Sequence, residues 1–444
     1  MSTGAEIYLW GTRIGYVWLE ETEQYASFEY DKDFLNSGIE LSPVSMPLSD
    51  RVYRFPELSY ETFHGMPGLL ADSLPDKFGN AVIAAWLASR GRTPDSMNAV
   101  ERLCYTGKRG MGALEYIPST GPDFDERESV ELDALAEMAS RVLENRENIH
   151  LASKDDLTIA GLLKLGTSAG GARAKAIVAW NEETGSVRSG QIEAGDGYGY
   201  WIVKLDNVKN NGDHGLADEL EYTKIEYAYY KMALKAGIIM NECRLLKNQG
   251  RAHFMTRRFD RNPVTGDKLH MQSLGAIAHL DYNLPGQCSY EAAALYAKRL
   301  GAGHLDIEQL FRRMVFNVVA CNLDDHVKNI SFLMDRSGKW ILAPAYDVTF
   351  AYDVQNRWLS AHQMTVNRKR QNIRTEDMIM CGKAMDIRKS RCKEIIEQVE
   401  DAVSSWREIA LEEEIKAETI ESIESLTLKT NNAQVIIEGD GCPS

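Results

Sequence analysis

The two stretches NLDDHVKN (residues 322–329) and APAYD (residues 343–347) decide how this chain folds. The first stretch follows an apolar helical pattern, and a β-hairpin pattern separates it from the second. Asp324, Asn329 and Asp347 are therefore predicted to meet at one end of a hairpin that follows a buried helix. Carboxylate and amide oxygens brought together in this way are suited to holding a hard divalent cation.

The spacing of Asp324 and Asn329 indicates a reaction class. It is the Asp-x-x-x-x-Asn spacing of a protein-kinase catalytic loop. Phosphoryl transfer from ATP needs a carboxylate that accepts the proton of the attacking hydroxyl, and oxygen ligands that hold Mg²⁺ against the phosphates. The pattern predicts Asp324 as the base, and Asn329 with Asp347 as the Mg²⁺ ligands.

Two other interpretations of these residues stay open at this point. Asp324 and Asn329 are also favoured in turns, and Asp347 is also favoured at the N-cap of a helix. Alternatively, Asp324, Asp325 and His326 form the metal cluster of a hydrolase, although no further His or carboxylate motif stands at ligand spacing. The placement of three such groups around one hairpin favours the metal–nucleotide site.

An upstream segment is predicted to bind phosphates. The loop GTSAGGARAK (residues 166–175) is rich in glycine, so its backbone N–H groups can face an anion, but it lacks the Lys and Ser/Thr of a P-loop. Lys204, in the predicted strand YWIVKLD, stands where a strand lysine contacts the α- and β-phosphates. Glu226 on the following helix is its candidate ion-pair partner. Each alone is explained as simply by a solvent-facing side chain.

The organisation of the chain indicates an α+β protein. AIVAW, SVRSGQIEA and YWIVKLD are predicted to form a three-stranded antiparallel meander, followed by a helix at about 217–236 and by strands in NECRLLKN and RAHFMTRRFD. The polar segment 119–129 is the best linker. We expect four parts: a β-rich subdomain with a helix (1–118), a linker and helix (119–149), a kinase-like N-lobe (150–256) and a helical C-lobe with the catalytic loop (257–444).

Composition and charge limit the function. The 444 residues carry 65 acidic and 50 basic side chains, a formal charge of -15, which is the wrong sign for a protein that coats nucleic acid by itself. No apolar run approaches the ~18 residues of a membrane helix, and no signal-peptide pattern opens the chain. We therefore expect a cytoplasmic protein without membrane contact. A local basic patch, which is also explained by a solvated loop, comprises Arg368, Lys369, Arg370 and Arg374.

Five motifs in a fixed order give the chain a family resemblance. They are GTSAGGARAK, YWIVKLD, RRFDR, NLDDHVKN and APAYDV, and they follow an N-terminal unit that ends in MPGLLADSLPDKFG. In this order the motifs resemble the HipA family of toxin kinases, and the resemblance covers nearly the whole chain. It implies a two-lobed protein-kinase-like fold with an N-terminal β-rich subdomain, and ATP and Mg²⁺ as cofactors.

The resemblance also implies roles for single residues. Asp324 matches the catalytic aspartate, Asn329 and Asp347 match the Mg²⁺ ligands, and Lys204 matches the lysine on the ATP phosphates. Ser168 matches the serine on which family members phosphorylate themselves, which adds negative charge to a loop that would cradle a triphosphate. Further implied nucleotide contacts come from the Gly-rich loop, the adenine hinge and the catalytic loop: Ser168, Ala169, Gly170, Gly171, Met255, Arg257, Phe259, His326 and Lys328.

Two residues depart from the pattern of the family. Arg173 stands in the Gly-rich loop where other members have a different residue, and Arg257 stands in the hinge where the best-known member has a carboxylate. The first departure affects the geometry of the loop. The second affects side-chain contacts to adenine and leaves backbone contacts unaffected.

The resemblance implies a Ser/Thr protein kinase toxin of a toxin–antitoxin pair. Its targets would include an aminoacyl-tRNA synthetase, and a HipB-like helix-turn-helix antitoxin would bind both the toxin and the operator DNA. The rival interpretation is a catalytically silent kinase-fold protein that serves as binding partner and co-repressor of the antitoxin. The intact trio of Asp324, Asn329 and Asp347 favours the kinase, because a silent relative is expected to have lost one of them.

Overall fold

The computed structural model describes residues 2–121, 132–144, 173–191, 194–206, 208, 221–248, 250–262 and 265–431. The chain begins with an antiparallel sheet whose strands lie in the order β3-β2-β1-β4. Burial alternates along β1, with Ala5, Ile7 and Leu9 facing the core, as expected for a sheet with one solvated face. The four strands are β1 (Ser2–Leu9), β2 (Thr12–Glu20), β3 (Ser27–Tyr30) and β4 (Leu114–Ile117).

Four helices lie between β3 and β4, and a fifth follows. The apolar residues from Phe78 to Leu87 recur at helical spacing before Gly91, which predicts a helix with its C-cap at that glycine. The helix is present as α3: Asp76 caps its N-terminus by accepting a hydrogen bond from the Gly79 N–H at 2.7 Å, and Gly91 follows its last turn at a φ of 71°. The helices are α1 (Tyr60–Phe63), α2 (Gly68–Ala71), α3 (Lys77–Ser89), α4 (Ala99–Thr106) and α5 (Leu132–Glu144).

The middle of the chain forms a five-stranded antiparallel sheet with the order β6-β5-β7-β9-β8. The predicted strands are present, but the predicted meander is wrong, because β5 and not β6 pairs with β7. The apolar strand β5 is almost wholly buried and gains a neighbour on each side, whereas β6 has three residues and suits an edge. The strands are β5 (Lys175–Trp180), β6 (Val187–Ser189), β7 (Gly199–Lys204), β8 (Cys243–Asn248) and β9 (Arg251–Arg257).

Helix α6 (Tyr222–Lys235) packs on this sheet. The structure confirms the predicted helix over its described length, and residues 217–220 of the prediction lie outside the described residues. Its buried side chains include Ile225, Glu226 and Tyr229, so one charged residue points inwards. The helix thereby reaches the interior with a carboxylate as well as with apolar groups.

The last part of the chain is mostly helical and contains one small sheet. The predicted hairpin is present as β11 and β12, but it also pairs with β10, a strand that the sequence analysis missed. The elements are β10 (His270–Ser273), α7 (Leu274–Ala278), α8 (Tyr290–Arg299), α9 (His304–Val319), β11 (Ser331–Met334), β12 (Trp340–Leu342), α10 (Thr375–Ala384), α11 (Lys389–Ser404), α12 (Trp406–Glu412) and α13 (Ala417–Asn431). No helix among the described residues is long and apolar enough to cross a membrane.

The first sheet is not packed as a separate body. A continuous apolar core runs from β1 through α6 and α9 to α13, while a second core lies between the five-stranded sheet and helices α3 and α5. Polar contacts join the same parts: the Trp10 Nε1–H donates to the Lys268 carbonyl at 2.7 Å, and the Trp340 Nε1–H donates to the Glu40 carbonyl at 3.1 Å.

A buried ionic cluster lies where β9 leaves the five-stranded sheet. Asp260 accepts hydrogen bonds from Arg258 at 2.7 and 2.9 Å and from Arg261 at 2.8 Å. Its carboxylate also accepts from the Gly112 N–H at 2.7 Å, and Arg258 donates to the Gly190 carbonyl at 3.2 Å. The cluster therefore joins the N-terminal part, the five-stranded sheet and the connection to the helical part.

Candidate active site

Three charged side chains meet between the five-stranded sheet and the helical part. Lys204 is the last residue of β7, and its ammonium donates to Glu226 of α6 at 2.7 Å and also to Asp347, which follows β12. Glu226 is 2% exposed, so the predicted ion pair is present and the solvent-facing interpretation of Glu226 is wrong. The Tyr222 hydroxyl lies 3.5 Å from the same ammonium.

The surroundings shift the pKa values of these groups in different directions. Burial disfavours the charged form of Lys204, but Asp347 and Glu226 outweigh it and hold the lysine pKa well above its usual value. Burial would raise the pKa of Asp347, but Lys204 and Lys175 lower it to about 2. For Glu226, burial outweighs Lys204 and raises the pKa. Asp347 is therefore anionic at neutral pH.

The predicted catalytic loop has a defined internal geometry. The Asn329 amide Nδ2 donates to the backbone carbonyl of Asp324 at 2.9 Å, and residues Val327–Asn329 form a 3₁₀ turn. Because the NH₂ group of Asn329 is engaged inside the loop, its amide oxygen is the atom suited to a cation. Asn329, His326 and Asp347 line one cavity of about 30 Å³. The catalytic-loop residue Asn329 and Asp347, which follows the hairpin, therefore line the same cavity.

Asp325 is held in a buried hydrogen-bond network and lines the same cavity as Asn329 and Asp347. Its carboxylate accepts from the Gln363 N–H at 2.7 Å and the Tyr290 hydroxyl at 2.8 Å, and it lies 3.0 Å from Nδ1 of His362. These buried partners hold the loop in place and occupy the carboxylate of Asp325. Within the described ranges, no three His, Cys, Asp or Glu side chains are grouped to hold a metal. The hydrolase interpretation with Asp324, Asp325 and His326 is therefore not supported.

The donor set fits Mg²⁺ held together with a nucleotide. Asn329 offers an amide oxygen and Asp347 an ionised carboxylate on the same cavity, which are ligand types that Mg²⁺ prefers. Two protein ligands are few for a metal bound by protein alone. They suit Mg²⁺, which usually keeps waters and takes its other ligands from phosphates.

More positive charge faces the same site from β5. Lys175 is the direct cross-strand neighbour of Lys204, and both lysines are buried. Two like charges opposite each other on one face of a sheet are unfavourable unless an anion lies close to both. The guanidinium of Arg173 lies over the ring of Tyr222. The sequence analysis did not assign Lys175 a role, although its distance of two positions from Arg173 in a basic, Gly-rich segment was a signal.

The three residues predicted for the adenine hinge have different surroundings in the structure. Met255 pairs with Val203, and its side chain lies in the core with α3 and α5, on the opposite face of the sheet from Lys204. The side chain of Met255 is therefore not available to a ligand on the face of the sheet that carries Lys204. Arg257 lies 3.7 Å from the carboxylate of Glu242. Phe259 stacks near Tyr346 at 5.3 Å between ring centroids, next to Asp347 in sequence.

The remaining predicted nucleotide residues fall into two groups. His326 and Lys328 both contact Tyr282, whose ring centroid lies 5.7 Å from the His326 ring and 4.5 Å from the Lys328 ammonium. The sequence analysis missed Tyr282, which lies in a loop without a motif. The predicted loop residues Ser168, Ala169, Gly170 and Gly171 lie outside the described residues.

The predicted basic patch is largely paired within the chain. Lys369 forms an ion pair with Asp377 at 2.8 Å, and Arg370 donates to the His362 carbonyl at 2.5 Å. Arg368 is exposed at a φ of 66°, and the Arg374 backbone is tied to Asp377. The patch thus helps to hold the loop that carries His362, the partner of Asp325.

Comparisons with known proteins point to one family. The family described as "HipA-like C-terminal domain" matches residues 167–406, and the family described as "HipA N-terminal domain" matches residues 5–117. No curated protein matches the sequence significantly. Among solved structures, the chain is similar to HipA of the Shewanella oneidensis MR-1 toxin–antitoxin system, which was solved with HipB and its operator DNA.

The match to the Shewanella oneidensis protein is long but distant in sequence. It covers 97% of this chain and 96% of that chain, with 16% identity and a TM-score of 0.64, and it shows a shared fold. A weaker match is the proinflammatory kinase CtkA of Helicobacter pylori, with 13% identity, 52% of this chain, 92% of that chain and a TM-score of 0.29. The fold expectation is confirmed: the chain has the α+β, kinase-like architecture in which a strand lysine pairs with a helix glutamate opposite a helical lobe.

Proposed function

The chain belongs to the HipA family, and on that premise we propose that it is an ATP-dependent Ser/Thr protein kinase that acts as the toxin of a toxin–antitoxin pair. The observation that carries the proposal is the ion pair between Lys204 and Glu226, buried beside Asp347 and opposite the Asp324–Asn329 loop. In protein kinases, an ion pair between a strand lysine and a helix glutamate must be in place for catalysis.

Each residue of the site has a proposed task. Lys204 binds the α- and β-phosphates, and Glu226 orients its ammonium. Asn329 and Asp347 would hold Mg²⁺, which supplies charge neutralisation at the phosphate oxygens when it is bound. Asp324 orients the acceptor hydroxyl and takes its proton, and the Asn329 amide fixes the loop that carries Asp324.

The wider biological role rests on the family. The Shewanella oneidensis relative was solved with HipB and operator DNA, and we propose a comparable helix-turn-helix antitoxin as the partner of this chain. A formal charge of -15 supports DNA contact mainly through that partner. We further propose that the protein substrate is an aminoacyl-tRNA synthetase, that its modification arrests growth in the cytoplasm, and that Ser168 is the site of autophosphorylation.

The rival function is a catalytically silent co-repressor with the same fold. A buried lysine held between two carboxylates costs desolvation free energy. Binding to an antitoxin does not require such a cluster. The buried cluster of Lys204, Glu226 and Asp347, together with the intact Asp324–Asn329 loop, therefore favours the kinase.

The substitution Asp324→Asn tests the proposal. We expect the purified wild-type chain, incubated with Mg²⁺ and ATP, to gain the mass of one phosphate on a peptide that contains Ser168. The variant should lose this transfer by a factor of about 10³ or more and should no longer arrest growth, because the base is removed. Intact-mass spectrometry and growth curves measure the two effects. The matched control is Asp401→Asn, at an exposed position of α11. Growth arrest by the Asp324→Asn variant would mean that the toxicity does not come from kinase chemistry.

A further inference from the structure

Helix α6 is charged on two sides. Glu226 points into the sheet and pairs with Lys204, whereas Lys224 and Lys231 are separated by seven residues and so share one face. At 100° per residue, that face lies roughly 140–160° around the helix from Glu226. Ion pairs therefore hold the helix on two opposite sides. A group that binds Lys224 and Lys231 thereby affects the position of Glu226.

Three consecutive glutamates bind the lysine face. Glu412, Glu413 and Glu414, here called the acidic turn, connect α12 to α13. Lys231 forms ion pairs with Glu412 at 3.2 Å and with Glu413, whose side chain is 9% exposed. Lys224 donates to the backbone carbonyl of Glu414 at 3.2 Å. A buried partner makes the Lys231–Glu413 pair stronger than an ordinary surface ion pair.

The start of α6 is attached to the same region. Glu221, the residue before α6, is buried, and its carboxylate accepts from the Lys416 N–H at 3.0 Å and from the Thr419 hydroxyl at 3.2 Å. It therefore caps the N-terminus of α13 from outside that helix. The two ends of the contact, at Glu221 and at Lys231, span most of the length of α6.

Apolar packing lies between these polar contacts. The rings of Tyr229 and Trp406 pack edge to face at 5.6 Å, and both are fully buried. Trp406 in turn donates its Nε1–H to the Ile420 carbonyl at 3.1 Å, which ties α12 to α13. These contacts fix the acidic turn in position against α6.

The C-terminal match to the family ends at residue 406, while the acidic turn and α13 follow it. These residues still contact the helix that supplies Glu226. The family match to residues 167–406 therefore does not include the acidic turn. The acidic turn lies on the side of α6 away from the candidate active site, so its residues have no direct access to a nucleotide.

We propose that the acidic turn is a clamp that positions α6, so that Glu413 and Glu221 act as positioning residues for the Lys204–Glu226 pair. The inference rests on the proposed kinase function. The physical reason is that α6 is a rigid element, so that a shift of its docked face also shifts Glu226 relative to Lys204. A displacement of about 1 Å in a group that positions substrate is enough to slow a reaction by one or two orders of magnitude.

Reversal of the Lys231–Glu413 pair tests the clamp. We expect Glu413→Lys to lower the rate of Mg-ATP-dependent phosphoryl transfer about tenfold, mainly in kcat, and Glu413→Gln to lower it less. The same variants should accelerate hydrogen exchange in residues 222–235, because α6 loses its anchor. The swap Glu413→Lys with Lys231→Glu should restore part of both properties, because it re-forms the pair with position 413 but places a carboxylate at position 231 beside Glu412. Glu397→Lys, the same charge change at an exposed position of α11, is the control and should change neither.

The possible results separate the clamp from the kinase proposal. A wild-type chain without Mg-ATP-dependent transfer would overturn the proposed function and this inference with it. An active wild type whose Glu413→Lys variant keeps its full rate would overturn the clamp alone. A slower variant with unchanged exchange in α6, or one that the swap does not rescue, would also overturn it, because the loss would then have another origin.

Discussion

At the scale of single residues, the two carboxylates that bind Lys204 have pKa values shifted in opposite directions. Lys204 binds both Glu226 and Asp347, but burial keeps the pKa of Glu226 raised while the lysines bring that of Asp347 to about 2. Paired groups whose pKa values are pushed apart have different tasks in many active sites. Here Asp347 is the carboxylate suited to a cation, and Glu226 is the one suited to holding the lysine.

A histidine far from this pair sets a pH limit on stability. His270 on β10 is fully buried, and burial lowers its pKa from 6.5 to about 3. Between these values the unfolded chain binds a proton that the folded chain does not, so stability falls as the pH decreases through this range. We expect His270→Gln to remove roughly 3 kcal/mol of the loss between pH 7 and pH 4.

Urea unfolding at both pH values measures the effect of His270→Gln. The change in unfolding free energy between the two pH values is compared for the variant and the wild type. A constant cost of the substitution does not affect this change, because the cost is the same at both pH values. An identical pH dependence in the variant and the wild type would show that other groups cause the acid sensitivity.

The sequence carried more information about the site residues than about their surroundings. The Asp-x-x-x-x-Asn spacing predicted Asp324 and Asn329, and the strand-then-helix order predicted that Glu226 pairs with Lys204, which the structure confirms. The separation of Asp325 from its neighbour could not be predicted, because adjacent carboxylates look alike in a sequence. Its partners Tyr290 and His362 are 35 and 37 residues away, one on either side in the sequence.

At the scale of elements, α2 and α7 approach unusually closely. Gly68 opens α2, and a Cβ atom there would collide with the carbonyl oxygen of Ala276 in α7 and with the ring of His279. The Gly68 N–H also donates to Nε2 of His279 at 3.1 Å. The glycine is needed for this close approach and not for its backbone angles.

We expect Gly68→Ala to destabilise the fold by about 1–3 kcal/mol, because backbone must shift to admit the methyl group. Thermal or urea unfolding measures the change. Gly4→Ala on β1 is the control, since a Cβ there meets its neighbours only at ordinary contact distances of 3.5 and 3.8 Å. A Gly68 variant as stable as the Gly4 variant would mean that α2 and α7 can separate at little cost.

The elements that the sequence analysis missed or misplaced are short. β10 has four residues and β6 has three, too few for an alternating pattern to be distinguished from a loop. Long periodic segments such as α3 and α6 were predicted within a few residues over their described lengths. Pairing order could not be predicted either, because β5 to β7 pairing depends on which strand is buried on both sides.

At the scale of the whole molecule, Asp260 holds three parts of the chain together. Its carboxylate is fully buried between Arg258 and Arg261 and also binds Gly112. The two guanidiniums outweigh burial and hold the pKa of Asp260 far below its usual range. We expect Asp260→Asn to destabilise the protein by about 3–5 kcal/mol, because it leaves two buried cations without their anion.

Chemical denaturation of the Asp260→Asn variant checks this expectation. Glu424→Gln, which breaks the largely exposed pair with Arg407, provides the matched comparison and should cost less than about 1 kcal/mol. Equal costs for the two substitutions would indicate that the interior at Asp260 is open to water.

The shared core is the feature of the whole molecule that composition and motifs could not predict. The linker at 119–129 was the reason to expect a boundary near 118, and the first sheet does end at Ile117. Its apolar residues nevertheless pack into the same core as α6 and α9. A linker pattern marks where the chain runs between elements, and it contains no information on which surfaces those elements share.

The position of the acidic turn in the chain also has a consequence in time. A ribosome makes α6 before it makes Glu412–Glu414, and at roughly 5–20 residues per second the interval is about ten seconds or more. During this interval α6 has no clamp, although Lys204 and Glu226 have both been synthesised. A nascent chain therefore carries every residue of its proposed phosphate-binding pair before it can hold them in place. For a protein proposed to arrest the cell that makes it, full activity then begins only after the acidic turn has been translated.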